Sequence, residues 1–420
     1  MKKTLIAVAA LSAMAASAMA ANVTVYGVID TGFHFQHSSP KWSTNLPGVK
    51  TDKATQSTNK FDMATGQNSG SRLGFKGVEE LGNGVKVGFV LENGFKSDTG
   101  ADDDASLAFR REANLYVTTD FGTLSLARVG ALTSTAGSYN LAKYTPFGGG
   151  WGDSTLKQAD FMLGDRARMD NTVTYVSPSF AGVKAYAQYS FQRGGKETAG
   201  NERQNNRYAG FGLTFDQGNF STALVVDSVL YNYKATNRKD SLGVTWGASY
   251  NFGVAKVFAQ AQYGKHENAF GFKNSDVLGA FKAYSKALEL ADTFGKDYSL
   301  KVTDDEGVKG YGLSLGMTAP VAGGTFMAQV SYLDTKSVDD ITGECSGKVN
   351  GKEVKGTANA KGKAKNWGAA VAYSYSLSKR TTAYTYASYT QLKKTWSYEA
   401  AEAESKTKNT EVGIGLIHKF

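Results

Sequence analysis

The chain reads as an all-β protein, a transmembrane antiparallel β-barrel of about sixteen strands. Three observations predict it. Apolar residues recur with a period of two along most of the chain. The connections between the alternating stretches are short and long in turn. The pattern also runs to the last residue, where "EVGIGLIHKF" sets Val412, Ile414, Leu416, His418 and Phe420 on one parity.

The 420 residues include 22 Tyr and 23 Phe, but only five Pro and one Cys against 48 Gly, with a formal net charge of +9. Residues 1–20 read as a secretory signal peptide. Lys2 and Lys3 precede an apolar run from Leu5, and Ala18-Met19-Ala20 gives a small-x-small cleavage signature before Ala21. Cleavage would lower the charge to about +7. An exported chain whose one cysteine is Cys345 has no internal disulfide framework. After the signal no apolar run approaches the ~18 residues of a membrane helix. Mean hydropathy is −0.33, yet strands with one face in lipid and the other in water average to a neutral score. Residues 21–420 are expected to form a single barrel domain.

The first strand is expected in "NVTVYGVIDTGFHF" (22–35), where Val23, Val25, Ile29, Phe33 and Phe35 oppose Asn22, Thr24, Asp30 and His34. A second follows at 70–79. In the third, "VKVGFVLENGF" (85–95), Val85, Val87, Phe89 and Leu91 oppose Lys86, Gly88 and Glu92. Alternation continues at 109–119, 121–130, 168–178, 182–192, 206–216, 218–231, 239–252, 253–265, 308–319, 322–334, 365–377, 380–393 and 409–420. Each is near the ~9 to 11 residues of a tilted membrane strand.

Short connections carry turn residues: "LGNG" (81–84), "TDFG" (119–122), "SPSFAG" (177–182), "DQGN" (216–219), "NFG" (251–253), "PVAGG" (320–324) and "LSKR" (377–380). Long ones fall between them at 36–69, 96–108, 131–167, 193–205, 232–238, 266–307, 335–364 and 394–408. Short turns on one rim and long polar loops on the other are the layout of an outer-membrane barrel. An even strand count lets the first and last strands pair antiparallel, which leaves no open edge in lipid. Within the loops, 272–296 has helical spacing at Val277, Phe281, Tyr284 and Leu288, and predicts a surface helix. The Lys/Gly-rich stretch 347–365 reads as a mobile, solvated loop.

The strings "VTVYGVIDTG", "SGSRLGFKGVEELGNGVKVGFVLENGF" (69–95), "DFGTLSLARVG" (120–130), "RMDNTVTYVSPSFAG" (168–182), "SYNFGVAKVFAQ" (249–260), "YSLSKRTTAYTYASY" (375–389) and the closing Phe420 resemble the general porins of Gram-negative bacteria. The resemblance spans the mature chain and is greatest to the beta-proteobacterial branch. It implies a homotrimer in the outer membrane, in contact with its lipid and lipopolysaccharide, that passes small hydrophilic solutes and ions by passive diffusion. It also implies that the loop after the fifth strand, 131–167, folds into the lumen. The residues point the same way: the loop is long, follows two tightly joined strands, and carries the compact stretch from Pro146 to Trp151.

A pore selects ions through clusters of one charge at its narrowest point. Parity puts Arg72 and Lys76 opposite Leu73 and Phe75, facing the lumen. The resemblance implies an arginine cluster on the wall at Arg72, Arg111 and Arg168, with a facing carboxylate at Glu92. Arg111 conflicts with parity, because it aligns with Ala113, Leu115 and Val117; a bulge, or Arg110 in its place, would resolve the conflict. Family members often carry an acid just before Pro-Phe-Gly, where this chain has Thr145, with Lys143 nearby. Asp153, Asp160 and Asp165 follow later in the loop. Unless they substitute, the constriction is net basic and should prefer anions. Opposed charge clusters would also set a transverse field that hinders apolar solutes.

Other patterns carry less. "GLSLG" (312–316) matches a nucleophile elbow, which needs a sharp strand-to-helix turn, but it lies inside an alternating strand. The four histidines have no metal-ligand spacing, and no cofactor is implied. Acids at 102–104 and 304–305 read as solvated loop charges. Basic residues are spread rather than striped, which opposes nucleic-acid binding, as does the secretion signal. A barrel enzyme would need a histidine–acid group at one rim, and His34 has the right parity but no evident partner. A substrate-selective channel and a surface adhesin are the remaining alternatives.

Overall fold

The computed structural model describes residues 23–45, 53–104, 106–134, 137–147, 161–163, 168–195, 206–231, 239–267, 299–304, 306–349, 352–398 and 401–420. Its strands are β1 (Thr24–Asn45), β2 (Lys53–Thr55), β3 (Thr58–Thr65), β4 (Arg72–Gly82), β5 (Val85–Gly94), β6 (Glu112–Thr119) and β7 (Gly122–Gly130). There follow β8 (Arg168–Val176), β9 (Val183–Ser190), β10 (Arg207–Gln217), β11 (Phe220–Leu230), β12 (Leu242–Asn251), β13 (Lys256–Glu267) and β14 (Ser299–Asp304). The last six are β15 (Val308–Val321), β16 (Gly324–Ser337), β17 (Ile341–Val349), β18 (Lys352–Ser376), β19 (Thr381–Tyr398) and β20 (Ala401–Lys419).

Sixteen strands close into one antiparallel barrel. Ring order follows the chain, except that β2 and β3 pair on the distal half of β1, while β14 and β17 form a side sheet with the start of β18. Alternation sorts the two faces as the sequence predicts. Phe33, Leu115, Leu126, Phe211, Leu315 and Ile414 are exposed on the outside, whereas Asp30, Asn114, Ser125, Thr174, Gln188 and Glu411 are buried inside. Apolar outside and polar inside inverts a soluble core and suits a strand between lipid and water.

Closure involves the last residue. β1 and β20 pair from Val28↔Lys419 to Asn45↔Glu402, and beyond them the Phe420 amide donates to the Gly27 carbonyl (3.1 Å) while the Gly27 amide donates to the Phe420 carbonyl (3.0 Å). The Phe420 ring lies over Gly27, in the space a Cβ there would occupy. At the β4–β5 turn, Gly82, Asn83 and Gly84 all take positive φ (89°, 49° and 75°), which only such residues do cheaply.

Four expected loops are corrected, one of them 266–307, where Ser299–Asp304 form β14. Much of 36–69, 335–364 and 394–408 is strand: β1, β18, β19 and β20 run 22, 25, 18 and 19 residues. About half of each exceeds the ~9 to 11 residues needed to cross the bilayer. Outside the membrane both faces meet water, so apolar alternation fades although the ladder continues; Trp42 and Trp396 stack across it at 5.5 Å. The expected mobile loop 347–365 is thus a hairpin of β17 and β18. The expected helix at 272–296 and the signal at 1–20 lie outside the described residues.

Candidate functional site: the pore lumen

Residues after β7 turn into the barrel and dock on its inner wall. The Leu132 amide donates to Gln188 Oε1 (3.0 Å), Thr133 Oγ1 donates to Asp227 Oδ2 (2.6 Å), and the Leu163 amide donates to Gln262 Oε1 (2.7 Å). Leu132, Leu141 and Tyr144 pack on Ala223 and Val225 of β11, and Phe147 packs on Ala370, Ala372, Tyr384 and Tyr386 of β18 and β19. The described parts of 131–167 therefore lie along the wall from β9 to β19. Ser138 also reaches back to the buried Glu112 at the start of β6.

Glycines make the docking possible. A Cβ on Gly212 would stand 2.5 Å from Leu141, one on Gly247 2.5 Å from Tyr144, and one on Gly316 2.5 Å from Pro146. At Gly312 it would overlap the Phe161 carbonyl, a backbone atom that cannot rotate away. Both ends of "GLSLG" are thus seats for the loop. Between them Ser314 shares a hydrogen bond with Ser331 (2.8 Å) inside a straight strand, and no elbow is present.

A second segment also enters the lumen, and nothing in its sequence announced it. Asn68 and Ser69 donate their amides to Asp30 Oδ2 (2.7 and 2.6 Å), and the Tyr384 hydroxyl donates to Asp30 Oδ1 (2.6 Å). The Tyr386 hydroxyl donates to Glu411 Oε1 (2.6 Å) and lies 2.5 Å from the Gln67 side-chain amide. Buried carboxylates with several donors hold this segment firmly.

The wall from β4 to β8 carries the charges. Arg111 Nε donates to Glu92 Oε1 (2.6 Å), and Arg72 Nε stands 3.4 Å from Glu92 Oε2. Arg72 Nη1 also donates to the Gly70 carbonyl (2.9 Å) and to Ser69 Oγ (3.2 Å), so the 66–71 segment orients it. Tyr26 donates to Glu92 Oε2 (3.1 Å), and Lys76 lies over the Tyr26 ring at 5.3 Å. The parity conflict at Arg111 has a different answer from a bulge: β6 begins at Glu112, so Arg111 precedes the pleat and turns inward. Arg110 instead meets Asp103 (3.5 Å), and its carbonyl accepts from Arg128, which also pairs with Asp170. Arg168 feels Arg111, Arg110 and Arg128 as like charges and Glu92 as an opposite one, its Nε is buried without a hydrogen-bond partner, and no described carboxylate stands at ion-pair distance from it. Lys143 is exposed on the inward loop between the buried Ala142 and Tyr144. Asp153, Asp160 and Asp165 lie outside the described residues.

A family model described as Gram-negative porin matches residues 7–395. The chain belongs to the Gram-negative porin family. An outer membrane porin of Bordetella pertussis is 30% identical over all of both chains. Outer membrane porin protein 32 of Delftia acidovorans is 32% identical over 67% of this chain and 75% of its own. An anion-selective porin from Comamonas acidovorans shares the fold at a TM-score of 0.59 and 25% identity, covering 95% of this chain and 100% of that one. This porin is therefore a β-barrel of the outer membrane.

One sequence reading of the porin's other residues changes and another gains detail. His34 has a partner after all: its Nδ1 lies 2.9 Å from Asp62 Oδ1, without hydrogen-bond alignment, and Asp62 is also paired with Lys60 (2.7 Å). The acids at 102–104 stay in contact with solvent, as expected, and also have partners within the protein. Asp102 accepts from Asn93 (2.9 Å), and the Ser106 hydroxyl and amide hold the Asp104 carboxyl below the usual carboxylate range. The remaining recess of note, about 460 Å³ among Tyr175, Tyr189, Phe211 and Leu242, opens on the outer face and is a lipid-contact groove rather than part of the lumen.

Proposed function

We propose that this porin is a general diffusion pore with a preference for anions, and that its narrowest passage runs between the inward loop and the wall bearing Arg72, Arg111 and Arg168. The observation that carries the reading is the imbalance at that wall. Arg72 and Arg111 share one carboxylate, Glu92, and Arg168 has none at ion-pair distance among the described residues. Fixed guanidinium groups in a narrow, water-filled passage lower the energy of an entering anion and raise that of a cation. No bond is made or broken, and solutes cross down their gradient. The anion-selective relative supports the sign of the preference. Lys76, four residues from Arg72 on the same face of β4, and Lys143, exposed on the inward loop, add positive charge. Assembly as a homotrimer, cleavage of residues 1–20 and a purely diffusive role complete the reading, drawn from family likeness.

Purified protein added to a planar bilayer should insert in large, stable conductance steps grouped in threes. A silent bilayer would defeat the channel reading, and single ungrouped steps would defeat the trimer.

A further inference from the structure

The barrel wall is out of register at one place. Thr31 of β1 faces Thr65 of β3, and Val28 of β1 faces Arg72 of β4. Two residues of β1, Ile29 and Asp30, therefore oppose six, Gly66 to Ser71. Such an excess does not fit in the pleat and leaves the wall. Gly66 opens the excursion at positive φ (69°), and its amide donates to the Asp30 carbonyl (3.0 Å). Ser71 closes it on the same residue, its Oγ accepting from the Asp30 amide (3.0 Å). Both ends of the excursion thus stand on the Asp30 main chain, while the Asp30 carboxylate takes the amides of Asn68 and Ser69.

Two tyrosines of β19 complete the clamp. Tyr384 donates to the second oxygen of Asp30, and Tyr386 donates to Glu411 and touches the Gln67 amide. Asp30, Gln67, Tyr384, Tyr386 and Glu411 are all at most 3% exposed. The same two rings carry Phe147 of the inward loop, so both segments that enter the lumen meet on one pair of side chains. The excursion then ends at Arg72, whose Nη1 donates to the Gly70 carbonyl (2.9 Å) and Ser69 Oγ (3.2 Å) while its Nε stands 3.4 Å from Glu92. An arginine gripped along one edge loses most of its rotamer freedom, and its place is set by whatever holds Ser69 and Gly70.

We infer that Tyr384 and Tyr386 are positioning residues for ion selectivity: through Asp30, Glu411 and Gln67 they pin the excursion from Gly66 to Ser71, which holds the Arg72 charge in the passage. Neither tyrosine has to touch a permeating ion, since both act through Arg72. The inference rests on the reading of the arginine wall as the selective element.

The test is the chloride-to-potassium permeability ratio of single inserted channels, which reports on folded barrels alone, at about 0.1 M KCl, where fixed charge is weakly screened. Arg72→Ala sets the scale and should lower the ratio. Tyr384→Phe/Tyr386→Phe keeps both rings packed on Phe147, removes both hydroxyls, and should lower the ratio roughly 2-fold, toward the Arg72→Ala value. In the Arg72→Ala background the same pair should have no further effect, because the group it positions is gone. Ser69→Ala should lower the ratio in the same direction, and Ser69→Thr, which keeps the hydroxyl, should preserve it. Tyr384→Phe and Tyr386→Phe serve singly where the pair does not insert. A wild-type ratio in the tyrosine variants or in Ser69→Ala, with that of Arg72→Ala lowered, would overturn the inference and leave selectivity with the arginine wall. So would an equal effect of the tyrosine pair in both backgrounds. A wild-type ratio in Arg72→Ala would instead overturn the role of the wall, and the inference with it.

Discussion

Replacing Gly312 by valine is expected to raise single-channel conductance by roughly 1.5-fold to 2-fold and to make the open current noisier. The cause is steric and local. The new side chain would collide with the Phe161 carbonyl, which is main chain and cannot turn aside. Four residues along the same strand face, Gly316 seats Pro146 in the same way. Forcing either seat open lifts the inward loop from the β15 wall while leaving the β15–β16 ladder, with Leu315↔Val330 outside it, intact. Interiors packed at crystal-like density do not absorb such an intrusion without moving the lighter partner, here the loop. Gly312→Ala should give a smaller effect of the same sign. Ser314→Ala, between the two glycines, removes a hydroxyl without adding bulk and should leave conductance unchanged. Conductance of Gly312→Val equal to wild type, in protein shown to be inserted, would mean that the loop does not narrow the pore.

The second large effect concerns charge. The double variant Arg72→Glu/Arg168→Glu should turn anion preference into cation preference, a change of several-fold in the chloride-to-potassium permeability ratio. Each replacement converts a fixed positive group into a negative one within reach of Arg111 and Glu92. Glu92→Gln acts in the opposite sense. It removes the one acid shared by Arg72 and Arg111, and anion preference should rise. Both effects should shrink as salt rises and the Debye length falls from about 10 Å at 0.1 M to 3 Å at 1 M. If the double variant keeps its anion preference, selectivity resides elsewhere, with Lys143 of the inward loop the next residue to replace.

Membrane-level architecture was legible because lipid imposes a strict rule on one face of each strand. Phe33, Leu115, Leu315 and Ile414 lie on the outside as their parity predicts, and the closing pair of β1 and β20 follows from the even strand count. Where that rule lapses, the reading lapsed too. The distal halves of β1, β18, β19 and β20 have water on both sides, so "KTWSY" (394–398) and "AEAESKTK" (401–408) look like loops although they form a ladder of β19 and β20. Arg72, Arg111, Arg168 and Glu92 were nominated from motif likeness, and the fold brings Arg72 and Arg111 onto Glu92. Glu112 and the anchored segment at Gln67 to Ser69 were missed, because inward folding of a polar stretch leaves no periodic trace. A cue was nonetheless present. Gly312, Gly316 and Gly368 interrupt strands on their lumenal parity, where a glycine weakens a strand unless something must approach the backbone closely.

The selectivity of this pore is proposed to rest on its unbalanced arginine wall. It is tested most directly by the zero-current potential of the wild-type channel in a bilayer separating two KCl concentrations. The expected sign is that of a current carried mainly by chloride, with a magnitude that declines as total salt is raised. A potential of the opposite sign, with potassium the main carrier, would contradict it.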